Sequence, residues 1–253
     1  VKKINKKILY PIISFSVIIL LWEGLGRAFH VPLYVLPLPS QIIQSLLSEK
    51  AILMKHALVT TKEAIIGLVL AAFLAFFIAI LMDRFKQLRL MFYPHLVISQ
   101  TIPVLVLGPI FSIWFGFGLT PKVLIVILMC FFPIVVAFSD ALKNSNQEKI
   151  NLLKTYGASN KQIYKMVKIP EAMPAFFSGL KISATYCVGG AIVGEWLSAS
   201  AGLGYYMIRA KNGYLLDKVF ATVLVIMLLS LVLNFLVSQI EKILIKKRMI
   251  SRV

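Results

Sequence analysis

Apolar residues run through this chain in long blocks rather than in alternation, and polar positions collect between the blocks. The pattern predicts helices at about 8–29, 60–82, 89–115, 121–140, 174–197 and 218–244. A bilayer crossing takes roughly 20 apolar residues. The chain therefore reads as an all-α integral membrane protein of about six spans.

The third block is the least regular. Its run Gln100-Thr-Ile-Pro-Val-Leu-Val-Leu-Gly-Pro109 holds Pro103 and Pro109, and each proline removes a backbone donor and bends a helix. Such breaks survive in a membrane where neighbours or a cavity satisfy the freed groups. A simple kink and a bent helix lining a translocation path both fit. Between the first two blocks, Pro32, Pro37 and Pro39 open a turn-rich connector. Ser40 is placed there to cap a helix, and 41–55 reads as a short amphipathic surface helix. The chain thus divides into 1–59, a span with its external connector, and 60–253, a core transmembrane domain with a long loop at about 141–173.

Composition agrees: 59% of residues are hydrophobic and 15% charged, where soluble domains carry about 25% charge. No room remains for a large soluble domain. The net charge of +17 comes from 27 Lys and Arg against 10 Asp and Glu. A nucleic-acid partner is one reading of such a surplus, but the cations lie between and beyond the apolar blocks, where topology signals belong. With the N-terminus inside, the inner segments carry 18 basic residues and the outer ones seven, Lys122 and Arg209 among them. Both termini are expected on the cytoplasmic side of the cell membrane, with no nucleic-acid partner. The basic start before Ile8 has no small-residue cleavage site after the apolar run, so an uncleaved first helix is expected. Cys130 and Cys187 lie in apolar stretches with neither metal-ligand spacing nor a disulfide framework, and no metal site is expected.

The loop from Asp140 to Met173 is too long for a tight connection, and long loops are usually functional. Ile150, Leu153, Ala158, Ile163, Met166 and Val167 recur at helical spacing between lysines. Gly157 suits a backbone break, because it adopts positive φ without steric cost, and Ser159 suits the cap of a second helix. Two short helices here fit a groove on a soluble partner or lie on anionic lipid; the pattern alone leaves both open.

Asn151-Leu-Leu-Lys-Thr-Tyr-Gly157, nine residues, then Val167-Lys-Ile-Pro170 resembles the EAA loop of binding-protein-dependent ABC importer permeases. Gly157 and Pro170 match at the family separation, whereas Asn151, Leu152 and Leu153 replace the Glu-Ala-Ala triplet. Leu36-Pro-Leu-Pro-Ser40, Thr101-Ile-Pro-Val, Ile113-Trp-Phe-Gly116, Gly194-Glu-Trp and Ala201-Gly-Leu-Gly204 extend the likeness. They are similar to the nitrate, sulfonate, taurine and thiamine-precursor branch. Asp217-Lys-Val-Phe-Ala221 leans towards its hydroxymethylpyrimidine members.

The resemblance implies a type I ABC importer permease fold and a subunit that forms the path for a small polar organic solute or oxyanion. It implies two ATP-binding cassette subunits, an extracytoplasmic solute-binding protein and a second permease copy, an identical one. It also implies ATPase coupling through Asn151, Leu152, Leu153, Tyr156, Gly157, Ala158 and Pro170. ATP and Mg belong to the partner ATPase, and this chain holds no cofactor. No glycine here is followed by lysine, so the chain has no Walker A sequence to cradle phosphate and is not expected to be an enzyme. An ion-coupled secondary transporter is the competing reading.

Pro103, Pro109, Glu195, Gly202, Gly204 and Tyr205 are candidates for the translocation path or its gate. Glu195 has a second reading, a structural pair with Lys181 or Arg209. Glu23 has Arg27 four residues on, a local helical pair. Gly190 and Gly194 allow close helix approach, either within the chain or at a subunit seam.

Overall fold

The computed structural model describes residues 6–250, with no strand among them. Helix α1 spans Lys6–Ala28, α2 Pro39–Ser48, α3 Lys50–Arg84, α4 Lys86–Ser99, α5 Val104–Phe115 and α6 Leu119–Lys143. Short helices α7 (Gln147–Thr155) and α8 (Asn160–Ile163) follow, and a π-helical turn at Tyr164–Lys168 leads into α9 (Ile169–Ser198). Then come α10 (Leu203–Asn212) and α11 (Leu216–Ile250). Among the described residues five helices are long and apolar enough to cross a membrane, or six if the bent pair α4–α5 is one span. Of the basic residues used to orient the chain, Lys2, Lys3 and Arg252 lie outside the described residues.

The centre is a three-helix contact of α3, α6 and α9. In lipid no hydrophobic force drives helices together, so close packing by small residues has to do it. Ala64, Ala71, Ala75 and Ala79 give α3 a smooth buried stripe. It faces Val126, Cys130, Ile134 and Phe138 of α6. Glycines bring α9 equally near. A Cβ on Gly179 would lie 2.6 Å from the Pro133 carbonyl oxygen, and one on Gly194 2.9 Å from the Lys122 Cα. Gly190 likewise meets Val126, so the Gly190–Gly194 pair serves packing within the chain. Both cysteines are buried in this core.

The remaining helices are peripheral. On α11, Asn234 Nδ2 donates to the Lys181 carbonyl and to Thr185 Oγ1 of α9, both at 3.0 Å. Helix α1 exposes most of its apolar surface and is joined to the bundle near its C-terminal end. There Trp22 packs edge-on to Phe220, and Glu23 accepts from Arg27 Nε at 2.7 Å and from Ser40 Oγ at 2.8 Å.

Four elements differ from the sequence expectation. The fifth span, expected from 174, starts at Ile169 and runs on without a gap from α8 and the π turn, so one continuous helical stretch reaches from Asn160 to Leu197. The second span begins at Lys50 instead of 60, because no breaker follows Lys50 and the helix continues beyond its apolar block; the boundary at 59/60 falls inside α3. The expected surface helix 41–55 therefore splits at Glu49, its first part being α2. Ser40 is not the cap of α2 but its second residue: Pro39 takes the first helical position, which its fixed φ favours. In the third block the helix does not merely kink. It stops at Ser99 and restarts at Val104, turned by 103°.

Candidate functional site

The loop between α6 and α9 is a small folded unit. Asn146 caps α7, its side chain accepting from Lys149 N at 3.0 Å. The other end closes as a Schellman motif: Ala158 N donates to the Leu153 carbonyl and Gly157 N to that of Lys154, both at 2.9 Å. Gly157 takes the left-handed φ of 74° that this motif requires. Ser159 then starts α8 with a capping box, its N donating to Gln162 Oε1 at 2.7 Å. Ile150, Ile163 and Val167 form a miniature core, against which Leu153 and Ala158 pack.

This arrangement divides the residues expected to couple. Leu153, Gly157, Ala158 and Pro170 (the second residue of α9) shape the unit. Asn151, Leu152 and Tyr156 stand on its open side, Tyr156 with 80% of its surface exposed. The unit is also tied to the spans. Glu171 of α9 accepts from Lys149 Nζ at 2.7 Å and from Asn146 N at 3.0 Å. Asp83 of α3 accepts from Lys168 Nζ at 2.6 Å and from the Tyr164 hydroxyl at 2.5 Å.

The opposite end of α9 holds a second cluster. Glu195, 2% exposed, accepts from Thr60 Oγ1 at 2.6 Å and from Gly204 N at 2.5 Å. Thr60 Oγ1 accepts in turn from Leu203 N at 2.8 Å, and His56 Nδ1 accepts from Gly202 N at 3.0 Å. The turn 199–202 and the start of α10 are thus fastened to α3. Gly202 has φ 116°, and a Cβ there would lie 2.2 Å from the Glu195 carboxyl carbon. A Cβ on Gly204 would lie 2.8 Å from the Ile192 carbonyl oxygen.

Glu195 pairs with neither cation considered for it. Lys181 reaches Glu241 at 2.9 Å, and Arg209 donates to the Tyr205 hydroxyl at 2.9 Å, because one helical turn separates that pair. Lys122, counted among the outer topology charges, is buried and bridges Glu63 at 2.7 Å. The sequence pattern assigns no site role to Thr60, Glu63, His56 or Lys122; the one local signal is Glu63, an acid at the polar start of a long apolar block.

Tyr205 and Glu195 line a cavity of about 560 Å³ with Trp196 and Phe117. At the α4–α5 break, Gln100, Ile102 and Val104 line another of about 210 Å³ with Phe132 and Tyr186. Pro103 immediately precedes α5 and marks the break, whereas Pro109 is accommodated within α5; both are exposed.

Residues 64–248 match the family described as binding-protein-dependent transport system inner membrane component. A probable ABC transporter permease protein of Haemophilus influenzae is 35% identical over 90% of this chain and 94% of its own length. The formylaminopyrimidine transport permease protein ThiX of Halalkalibacterium halodurans is 35% identical over 95% of this chain and 96% of its own. Among solved structures, an amino acid ABC transporter crystallised with histidines superposes with a TM-score of 0.62 at 16% identity. That match covers 81% of this chain and 97% of the other, and shows a shared fold.

Proposed function

Because the chain belongs to the family of binding-protein-dependent transport system inner membrane components, as the multi-pass permease subunit of an ABC importer, we propose that its loop 141–173 couples it to an ATP-hydrolysing partner. One observation carries this: α7 is capped, braced from behind by Ile150, Ile163 and Val167, and turns Asn151, Leu152 and Tyr156 outward. A cleft on an ATP-binding cassette subunit takes that ridge. The bridges Lys149–Glu171 and Lys168–Asp83 then pass its displacement into α9 and α3.

In the assembly, two such ATPase subunits sit beneath two identical permease copies, and ATP and Mg stay on the ATPases. Both termini and the loop lie in the cytoplasm, in keeping with the distribution of basic residues. Helices α3 to α11 act as the permease core, and α1 with α2 adds a span and connector. An extracytoplasmic binding protein delivers solute to the far end, where Glu195, Gly202, Gly204 and Tyr205 form the gate. The bent pair at Pro103 and Pro109 borders the path. ATP binding draws the two loops together and turns the spans outward; hydrolysis resets them. The solute is a small polar organic molecule, and the name of the Halalkalibacterium relative favours a pyrimidine thiamine precursor over a sulfonate, taurine or nitrate. The comparisons lend the ion-coupled reading no support.

Co-expression with the ATPase and binding protein in an uptake-deficient host tests this. Labelled formylaminopyrimidine or hydroxymethylpyrimidine is expected to accumulate with ATP, and Leu152→Asp to abolish ATPase co-purification without affecting insertion. Uptake that follows an ion gradient with no ATPase present would overturn the reading.

A further inference from the structure

The loop end of the bundle holds a cavity of about 650 Å³ that coupling leaves unused. Its floor is apolar, formed by Phe76 and Ile80 of α3 with Ile169 of α9. Its rim carries Arg84, Lys161 and Lys165 beside Tyr164. None of these three cations takes part in an ion pair among the described residues. Asp83, next to Arg84 in the chain, is already engaged by Lys168 and by the Tyr164 hydroxyl. Three positive charges therefore stand uncompensated at one mouth.

Phe76 and Arg84 are eight residues apart on one helix, about 12 Å along its axis at 1.5 Å per residue. The cavity accordingly runs from a charged rim down an apolar wall inside a membrane-spanning helix. Phe73 and Phe77, exposed on α3, continue that apolar surface towards lipid. A free anion would satisfy the rim and leave the wall uncovered. An acidic protein segment would have to enter the hydrocarbon region to reach Phe76. An amphiphile meets both ends at once, and basic pockets between helices at this membrane face do take anionic lipid heads.

We propose that this cavity binds one anionic phospholipid, its phosphate among Arg84, Lys161 and Lys165 and an acyl chain along Phe76 and Ile80. The lipid bridges α3 to the α8–π-turn segment and so props the coupling loop against the bundle. This site is separate from the exposed ridge of α7 and does not depend on what docks there.

The test uses the assembled transporter, permease with ATPase and binding protein, in mild detergent. Native mass spectrometry follows retention of added phosphatidylglycerol or phosphatidylcholine, with inorganic phosphate as competitor. Phosphatidylglycerol is expected at one per permease chain, phosphatidylcholine is not retained, and millimolar phosphate does not compete. The Arg84→Gln/Lys161→Gln/Lys165→Gln variant is expected to bind phosphatidylglycerol roughly a hundredfold more weakly, about fivefold per charge. Equal retention by the variant, or equal retention of both lipids, overturns the proposal. Displacement by phosphate replaces it with a free-anion site. Loss of the ATPase from the variant in phosphatidylcholine makes the rim a protein contact and also overturns it. A wild-type elution profile and Tm in phosphatidylcholine verify folding. Should the triple variant misfold, Arg84→Gln and Lys165→Gln, each expected to lose about fivefold, decide the matter singly.

Discussion

Glu195 of α9 accepts a hydrogen bond of 2.6 Å from the hydroxyl of Thr60 on α3, across 135 positions of sequence. The same hydroxyl oxygen accepts from the Leu203 backbone N–H. Thr60→Val keeps the shape but strands two buried groups, a carboxylate oxygen and an amide. Leaving buried polar groups unsatisfied costs about 1–3 kcal/mol each. The expected outcome is a clear drop in the Tm of the purified complex, with insertion retained. An unchanged Tm would mean that the contact does not hold the turn to α3.

Gly202 sets a sharper constraint. An alanine there meets the Glu195 carboxylate, which cannot swing away without surrendering Thr60 and Gly204 N. Its φ of 116° adds backbone strain for any residue with a Cβ. Gly202→Ala is expected to abolish uptake and lower Tm. Gly189→Ala, where a Cβ meets nothing within 4 Å in mid-helix, is expected to leave both intact. Uptake and thermal unfolding of the two variants side by side decide it; similar behaviour would refute the close-approach argument.

The parts of this molecule that were legible in the sequence are those whose cause is local. Apolar blocks announce α6, α9 and α11 because a membrane-spanning helix needs a continuous stretch. Gly157 before Ser159 announces the loop's turn because a Schellman glycine and a helix cap are neighbours in the chain. Pro103 announces a break but not its 103° angle, which neighbouring helices set. Lys122 looked like a topology charge, since nothing nearby reveals Glu63, 59 positions earlier. The partners of Glu195 were hidden for the same reason: Thr60 and Gly204 become neighbours only after α3, α9 and α10 have packed.

The Lys122–Glu63 bridge is buried, so removing one partner should cost far more than removing both. An unpaired charge buried by a single substitution costs about 3–5 kcal/mol, whereas replacing the whole pair by apolar side chains is often close to neutral. Lys122→Met alone and Glu63→Leu alone are expected to lower Tm strongly, and the double variant to recover most of the loss. A double variant as unstable as the sum of the singles would show that the two side chains act independently.

The loop yields a prediction in which stability and coupling separate. Gly157→Pro forces φ to about −65° where the Schellman turn needs 74°, and Ala158→Glu puts a charge against Leu153 in the miniature core. Both disturb α7 from behind, far from the packed centre of α3, α6 and α9. Leu152→Asp instead alters the exposed ridge without touching that core. All three chains are expected to insert. The first two should let bound ATPase hydrolyse ATP without uptake, and the third should fail to retain the ATPase. The checks are hydrolysis, uptake and co-purification on one set of proteoliposomes. Normal ATP-dependent uptake in Gly157→Pro would end the coupling assignment. A Leu152→Asp chain that keeps its ATPase would place the docking surface elsewhere on the unit.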